Sequence, residues 1–134
     1  MRRALALLVL AAAGPAARPA LADSAREGRL RAHLEFLASD ALNGRAGGSR
    51  DELVACLYAA AQLRALGIEP AGDEGGYLQR VVLGGDPPKS TWNVLGRLPG
   101  SDPAAARRAV LLSAHIDHLG ARDGAGGDRI FNGA

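Results

Sequence analysis

A-V-L-L-S-A-H-I-D-H-L-G, residues 109–120, joins an apolar run to a cluster of ionisable side chains. Val110, Leu111 and Leu112 predict a buried strand, and His115, Asp117 and His118 at its end are groups that a core would have to satisfy. In a strand, side chains two apart share a face, so His115 and Asp117 lie together while Ile116 and His118 point across. One ring nitrogen of His115 is then free for a metal ion. The other donates to Asp117 or to a backbone carbonyl, which fixes the tautomer and makes the histidine a better ligand. The carboxyl ends of strands are also where open α/β sheets bind ligands. The same pair equally reads as a local hydrogen bond closing a strand. His118, sent to the opposite side, reads as a solvated or supporting group.

Downstream, residues 120–128 are glycine-rich, and Ile130 and Phe131 begin a new ordered element. Upstream, residues 91–98 alternate Trp92, Val94 and Gly96 against Asn93, Leu95 and Arg97, a strand pattern that meets the turn Pro99-Gly100-Ser101-Asp102. Residues 77–83 lean towards strand, and residues 84–90, G-G-D-P-P-K-S, form a loop. Ser49 followed by Glu52 is a capping box that predicts a helix from Arg50 to about Leu66, closed by Gly67. Leu53, Leu57, Ala60, Leu63 or Arg64, and Leu66 follow its helical period, with Cys56 and Tyr58 beside them. An earlier helix starts at a cap on Asp23 or Ser24 and runs to about Ser39. Its stripe of Leu30, His33, Leu34 and Leu37 makes His33 a core or boundary residue rather than a ligand. Between the helices, residues 40–48, D-A-L-N-G-R-A-G-G, read as a connector or as positive-φ turns beside a cleft. Two helices followed by three strands predict an α/β protein with an incomplete sheet.

Residues 1–22 have the plan of a secretory signal peptide. Arg2 and Arg3 form the basic start, residues 4–13 an apolar stretch too short to span a bilayer, and Ala20-Leu21-Ala22 a cleavage site. Export to the periplasm or outside the cell is therefore expected, with no transmembrane segment after cleavage. Of the 16 basic residues, Arg2, Arg3 and Arg18 leave with the leader, so 13 face 14 acidic ones. The basic excess belongs to the leader. No cluster of lysine or arginine interleaved with aromatics remains, which argues against nucleic acid as a partner. Cys56 is the only cysteine. It excludes an internal disulfide and a cysteine-based zinc site, and its apolar setting predicts an inert thiol. The glycine-bearing connector lacks the G-x-x-x-x-G-K of a phosphate loop.

Three segments together carry a family resemblance: H-L-E-F-L-A-S-D-A-L-N-G-R at residues 33–45, A-A-A-Q-L-R-A-L-G-I-E-P at residues 59–70, and W-N-V-L-G-R-L-P-G at residues 92–100 with L-L-S-A-H-I-D-H-L-G at residues 111–120. In this order the chain from residue 30 onward resembles the N-terminal part of the M28 family of zinc peptidases, in its exported bacterial aminopeptidase branch. The resemblance implies a mixed sheet flanked by helices, of phosphorylase/hydrolase-like architecture, of which residues 23–134 would be the N-terminal portion. It implies a site for two Zn(2+) ions in which His115 is a metal ligand and Asp117 the catalytic-site aspartate that orients it. It also implies peptide or protein N-termini as substrate. The two ions would activate a shared water and polarise the scissile carbonyl, while a glutamate moves the proton. A bridging aspartate normally follows a stretch like Asn132-Gly133-Ala134. It and the remaining ligands would lie past residue 134, so this chain by itself is expected to be an inactive fragment of the peptidase. The short loop at residues 84–90 leaves no room for the protease-associated domain that some relatives insert there.

Two other readings compete. Ser113, His115 and Asp117 could be taken for a serine hydrolase, but residues two and four apart on a strand stand in a row rather than converging, and G-x-S-x-G is missing. A non-enzymatic binding or interaction protein on a truncated peptidase scaffold is the other alternative.

Overall fold

The spacing of Ser49 and Glu52 is realised as a helix start. In the computed structural model, which describes residues 19–124 and 126–133, the Ser49 side chain accepts a hydrogen bond from the Glu52 backbone N–H at 3.0 Å. The Glu52 carboxylate reaches back past Ser49 to the backbone N–H of Gly48 at 2.6 Å, one residue further than a reciprocal capping box requires. The helix runs Arg50–Ala65. It ends as expected at Gly67, whose φ of +70° suits a residue without a Cβ. Gly67 N–H there donates to the Arg64 carbonyl at 3.0 Å and Ile68 N–H to that of Leu63 at 3.0 Å.

Two units divide the chain, Met1–His33 and Leu34–Ala134. The first helix, α1, spans Pro19–Leu37, starting ahead of the expected cap at Asp23 or Ser24. Most of the expected leader, residues 1–22, lies outside the described residues; residues 19–22 fall in α1. Within the first unit Leu30 is exposed and His33 half-buried. Among the described residues no helix is long and apolar enough to cross a membrane.

In the second unit the helix Arg50–Ala65, α2, packs against an antiparallel pair, β2 (Leu78–Leu83) and β3 (Lys89–Val94), in register from Leu78 opposite Val94 to Leu83 opposite Lys89. The buried face of α2 is Glu52, Ala55, Cys56 and Ala60, rotated away from the expected row of leucines; Leu57 and Leu66 are exposed. Small side chains explain the rotation. They let the helix axis approach the hairpin closely enough for the Cys56 thiol to donate to the Trp92 carbonyl at 3.7 Å. Leu42 and Tyr77 complete the buried apolar set, with the Tyr77 hydroxyl donating to the Ile68 carbonyl. Phe36 stacks on Tyr58 at 4.3 Å between ring centroids, tilted by 33°.

The expected strand at residues 91–98 is interrupted rather than continuous. At Leu95 the chain changes partners: its N–H donates to the Tyr77 carbonyl at 2.7 Å and its carbonyl accepts from Ala71 at 3.2 Å. Beyond it β4 (Gly96–Arg97) pairs with β1 (Glu69–Pro70), where Arg97 and Glu69 form an exposed ion pair at 2.8 Å. A third antiparallel pair joins β5 (Gly120–Ala121) to β6 (Ile130–Phe131), so the order foreseen at Ile130 and Phe131 is present. The result is a small mixed α/β domain of helices and a few antiparallel strand pairs, with no barrel among the described residues.

The strand expected at residues 110–112 does not form. Val110, Leu111 and Leu112 are 90%, 87% and 90% exposed and carry no regular structure. An apolar run becomes a strand only when a neighbour takes its backbone hydrogen bonds and another layer covers its side chains. Among the described residues nothing does either.

Candidate functional site

The connector at residues 40–48 turns out to be a platform. Its 3-10 turn, Asp40–Arg45, ends in three consecutive residues with positive φ, Asn43 at 44°, Gly44 at 68° and Arg45 at 47°. Gly44 is required twice over. Its φ is costly for other residues, and a Cβ there would stand 2.3 Å from the Gly120 carbonyl oxygen and 2.6 Å from that of Phe131. The turn therefore backs directly onto the β5–β6 pair.

Arg45 is only 4% exposed. Its Nε donates to the Ile116 carbonyl at 3.0 Å and its Nη1 to the Leu37 carbonyl. Its own carbonyl accepts the His118 N–H at 2.9 Å, beside a parallel bridge between Ala46 and His118. Burial pushes the guanidinium pKa below its ordinary value, and the negative charge of Asp117 acts in the opposite direction. Asn132 closes the rim, donating from Nδ2 to Asp40 Oδ1 at 2.9 Å, while its buried Oδ1 finds no partner.

His115 and Asp117 are brought together on a segment without regular structure, the expected strand being absent. His115 Nδ1 lies 2.8 Å from the Asp117 backbone oxygen and 3.4 Å from its carboxylate Oδ1. A carbonyl oxygen can only accept, so Nδ1 carries a hydrogen, and in the neutral imidazole the lone pair is then on Nε2. The His115 side chain is 79% exposed, which keeps that lone pair open to solvent. Asp117 packs over Gly47, where a Cβ would sit 3.4 Å from Oδ2. His118 is half-buried, its ring against Gly133 and its backbone tied to Arg45, which makes it a supporting residue.

The other candidates separate from this pair. Ser113 is exposed and makes no hydrogen bond to His115, whose Nδ1 faces Asp117 instead. Cys56 is fully buried, and burial, with smaller contributions from the charges of Glu52 and Asp117, pushes its thiol up to about 11. Burial and a raised pKa fit the apolar setting read from the sequence. Among the described residues no three His, Cys, Asp or Glu side chains converge as a metal site would need. The residues present fit zinc at the level of one donor: a histidine with a hydrogen-bonded Nδ1 and an open Nε2 is how a metal-binding imidazole is prepared. Arg45 is the residue that sequence reasoning passed over. Its signal was an arginine set between Asn43-Gly44 and Gly47-Gly48, where a long side chain has glycine on either side to let it fold inward.

No family model, no curated protein and no solved structure matches this chain.

Proposed function

We propose that this chain carries the His115 corner of a metal-dependent exopeptidase, an exported zinc aminopeptidase of the M28 kind that hydrolyses the amino-terminal bond of peptides or proteins. One observation supports the reading above the others: Nδ1 of His115 is bound to the Asp117 backbone carbonyl on an exposed side chain, which in the neutral imidazole leaves the Nε2 lone pair available to a metal ion. His115 would hold one zinc ion, with Asp117 keeping the imidazole in register through its carbonyl and adding negative charge beside the ring. Zinc, when bound, supplies Lewis-acid polarisation of a carbonyl and lowers the pKa of a bound water. Three protein donors are the usual minimum for catalytic zinc, and on this reading the others lie outside residues 19–133. In the same reading residues 23–134 are the N-terminal portion of a helix-flanked mixed-sheet peptidase domain, and the protein works in the periplasm or outside the cell.

The test is zinc content and release of p-nitroaniline from leucine p-nitroanilide by the purified product of the gene that encodes this chain. Activity should vanish with 1,10-phenanthroline and return with added zinc. His115→Ala should remove most bound zinc and nearly all activity, and Asp117→Asn, which keeps the carbonyl that binds Nδ1 and removes only the charge beside the ring, should cost up to about tenfold in metal affinity or rate. A product that binds no zinc, or hydrolyses the substrate equally well after chelation, overturns the proposal.

A further inference from the structure

The geometry points to Arg45 as the positioning residue for His115, acting through the peptide group between Asp117 and His118. Two bonds connect residue 45 to the two peptides that flank Asp117. Arg45 Nε binds the Ile116 carbonyl at 3.0 Å, and the Arg45 carbonyl binds the His118 N–H at 2.9 Å. The second of these peptides is the informative one. In a trans peptide the N–H and the C=O point in opposite directions from one rigid plane. The N–H of His118 and the C=O of Asp117 belong to that same plane. Holding the N–H against Arg45 therefore aims the carbonyl the other way, where it accepts from His115 Nδ1 at 2.8 Å.

Arg45 is suited to this because it is itself immobilised. Its side chain is anchored at the far end on the Leu37 carbonyl, at the close of α1. Its backbone sits at φ 47°, a conformation that non-glycine residues adopt at a cost and keep only when the surroundings hold them. Gly44 beside it sits against the Gly120 and Phe131 carbonyls. His115 and Asp117 lie on an otherwise open segment, so the order of the imidazole is supplied from Arg45 rather than from packing around the ring. Selection of the Nδ1–H tautomer, which leaves Nε2 as the donor atom, follows from that bond.

The inference rests on the zinc reading for its purpose and not for its test, which is made without metal. Two-bond nitrogen–proton NMR on the full chain at pH 8 reads the tautomer of each of the three histidines. His115→Gln assigns the His115 signals. In the unsubstituted chain His115 should be mainly the Nδ1–H form. Arg45→Met keeps the backbone carbonyl that binds the His118 N–H but removes the side-chain bonds to Leu37 and Ile116 that hold residue 45 and this segment in place, so it should make the Nδ1–H form a minority, and Arg45→Lys should restore part of it. Emission from Trp92, the one tryptophan, reports whether α2 and the β2–β3 pair remain packed. Arg45→Met with native Trp92 emission and an unchanged His115 tautomer overturns the inference. Should Arg45→Met unfold, the His118 amide of the unsubstituted chain decides. It should exchange at least about tenfold slower than its intrinsic rate, and unprotected exchange overturns the inference. Zinc-independent activity alongside the expected tautomer change removes the proposed function and leaves Arg45 in its role. Zinc-dependent activity with no tautomer change does the reverse.

Discussion

Two apolar regions of the chain end in opposite states. In α2 and the β2–β3 pair, Ala55, Cys56, Ala60 and Tyr77 are buried, and even Glu52 is only 1% exposed. In residues 110–112, three larger aliphatic side chains stand in solvent. Hydrophobicity does not separate them, since valine and leucine gain more from burial than alanine does. Partners separate them. β2 and β3 satisfy each other's backbone groups over six residue pairs, and α2 covers one side of them. Residues 110–112 have neither a ladder nor a cover among the described residues. Burial of Glu52 follows from the same principle, because its oxygens accept from Gly48 N–H and the Thr91 hydroxyl, tying the helix start to β3.

The largest effect that could break this contrast is at Glu52. Glu52→Ala leaves the Gly48 N–H and the Thr91 hydroxyl without their acceptor in the packed region, and should cost about 3 kcal/mol. Urea unfolding followed by Trp92 emission measures it, and a cost under about 1 kcal/mol would mean that these bonds do not join helix to hairpin. Gly44→Ala should cost about 2 kcal/mol, since it adds a Cβ against two backbone carbonyls at a φ of 68°. A variant as stable as the parent would show that the turn does not back onto β5–β6.

Cys56 gives a smaller effect with a defined sign. Its folded-state pKa of about 11 lies above the ordinary 9.0, so the native state holds the proton more tightly than the unfolded chain. The stabilisation is fully present below pH 9 and is lost as pH rises through about 11, on the order of 1 kcal/mol. Unfolding curves for the parent and Cys56→Ala should therefore converge over that interval, and parallel pH profiles would argue against burial of the thiol. The smallest effect belongs to the open stretch. Leu111→Lys should change stability by no more than about 0.5 kcal/mol and should raise solubility, because it removes part of an exposed apolar run. A loss above about 1.5 kcal/mol would place Leu111 in a core and erase the contrast.

Features carried by near neighbours in the chain were legible in the sequence. Ser49 and Glu52 start α2 and Gly67 ends it because capping bonds span only three or four residues. The strand tendencies around residues 77–83 and 91–98 yielded a real pair, although the break at Leu95 came from a change of partner. His115 and Asp117 meet because they are two residues apart, so their pairing survived even though the strand invoked for it did not form. What only the tertiary structure decided involves separations too long for any local pattern to encode. The buried face of α2 was chosen by how closely small residues let it approach β3. Residues 110–112 were left open for want of partners. Arg45 became the anchor of the segment after His115 through bonds to residues 71 and 73 positions further along the chain. Sequence patterns determine which groups can bond locally; which distant group arrives to use them depends on the packing of the whole unit.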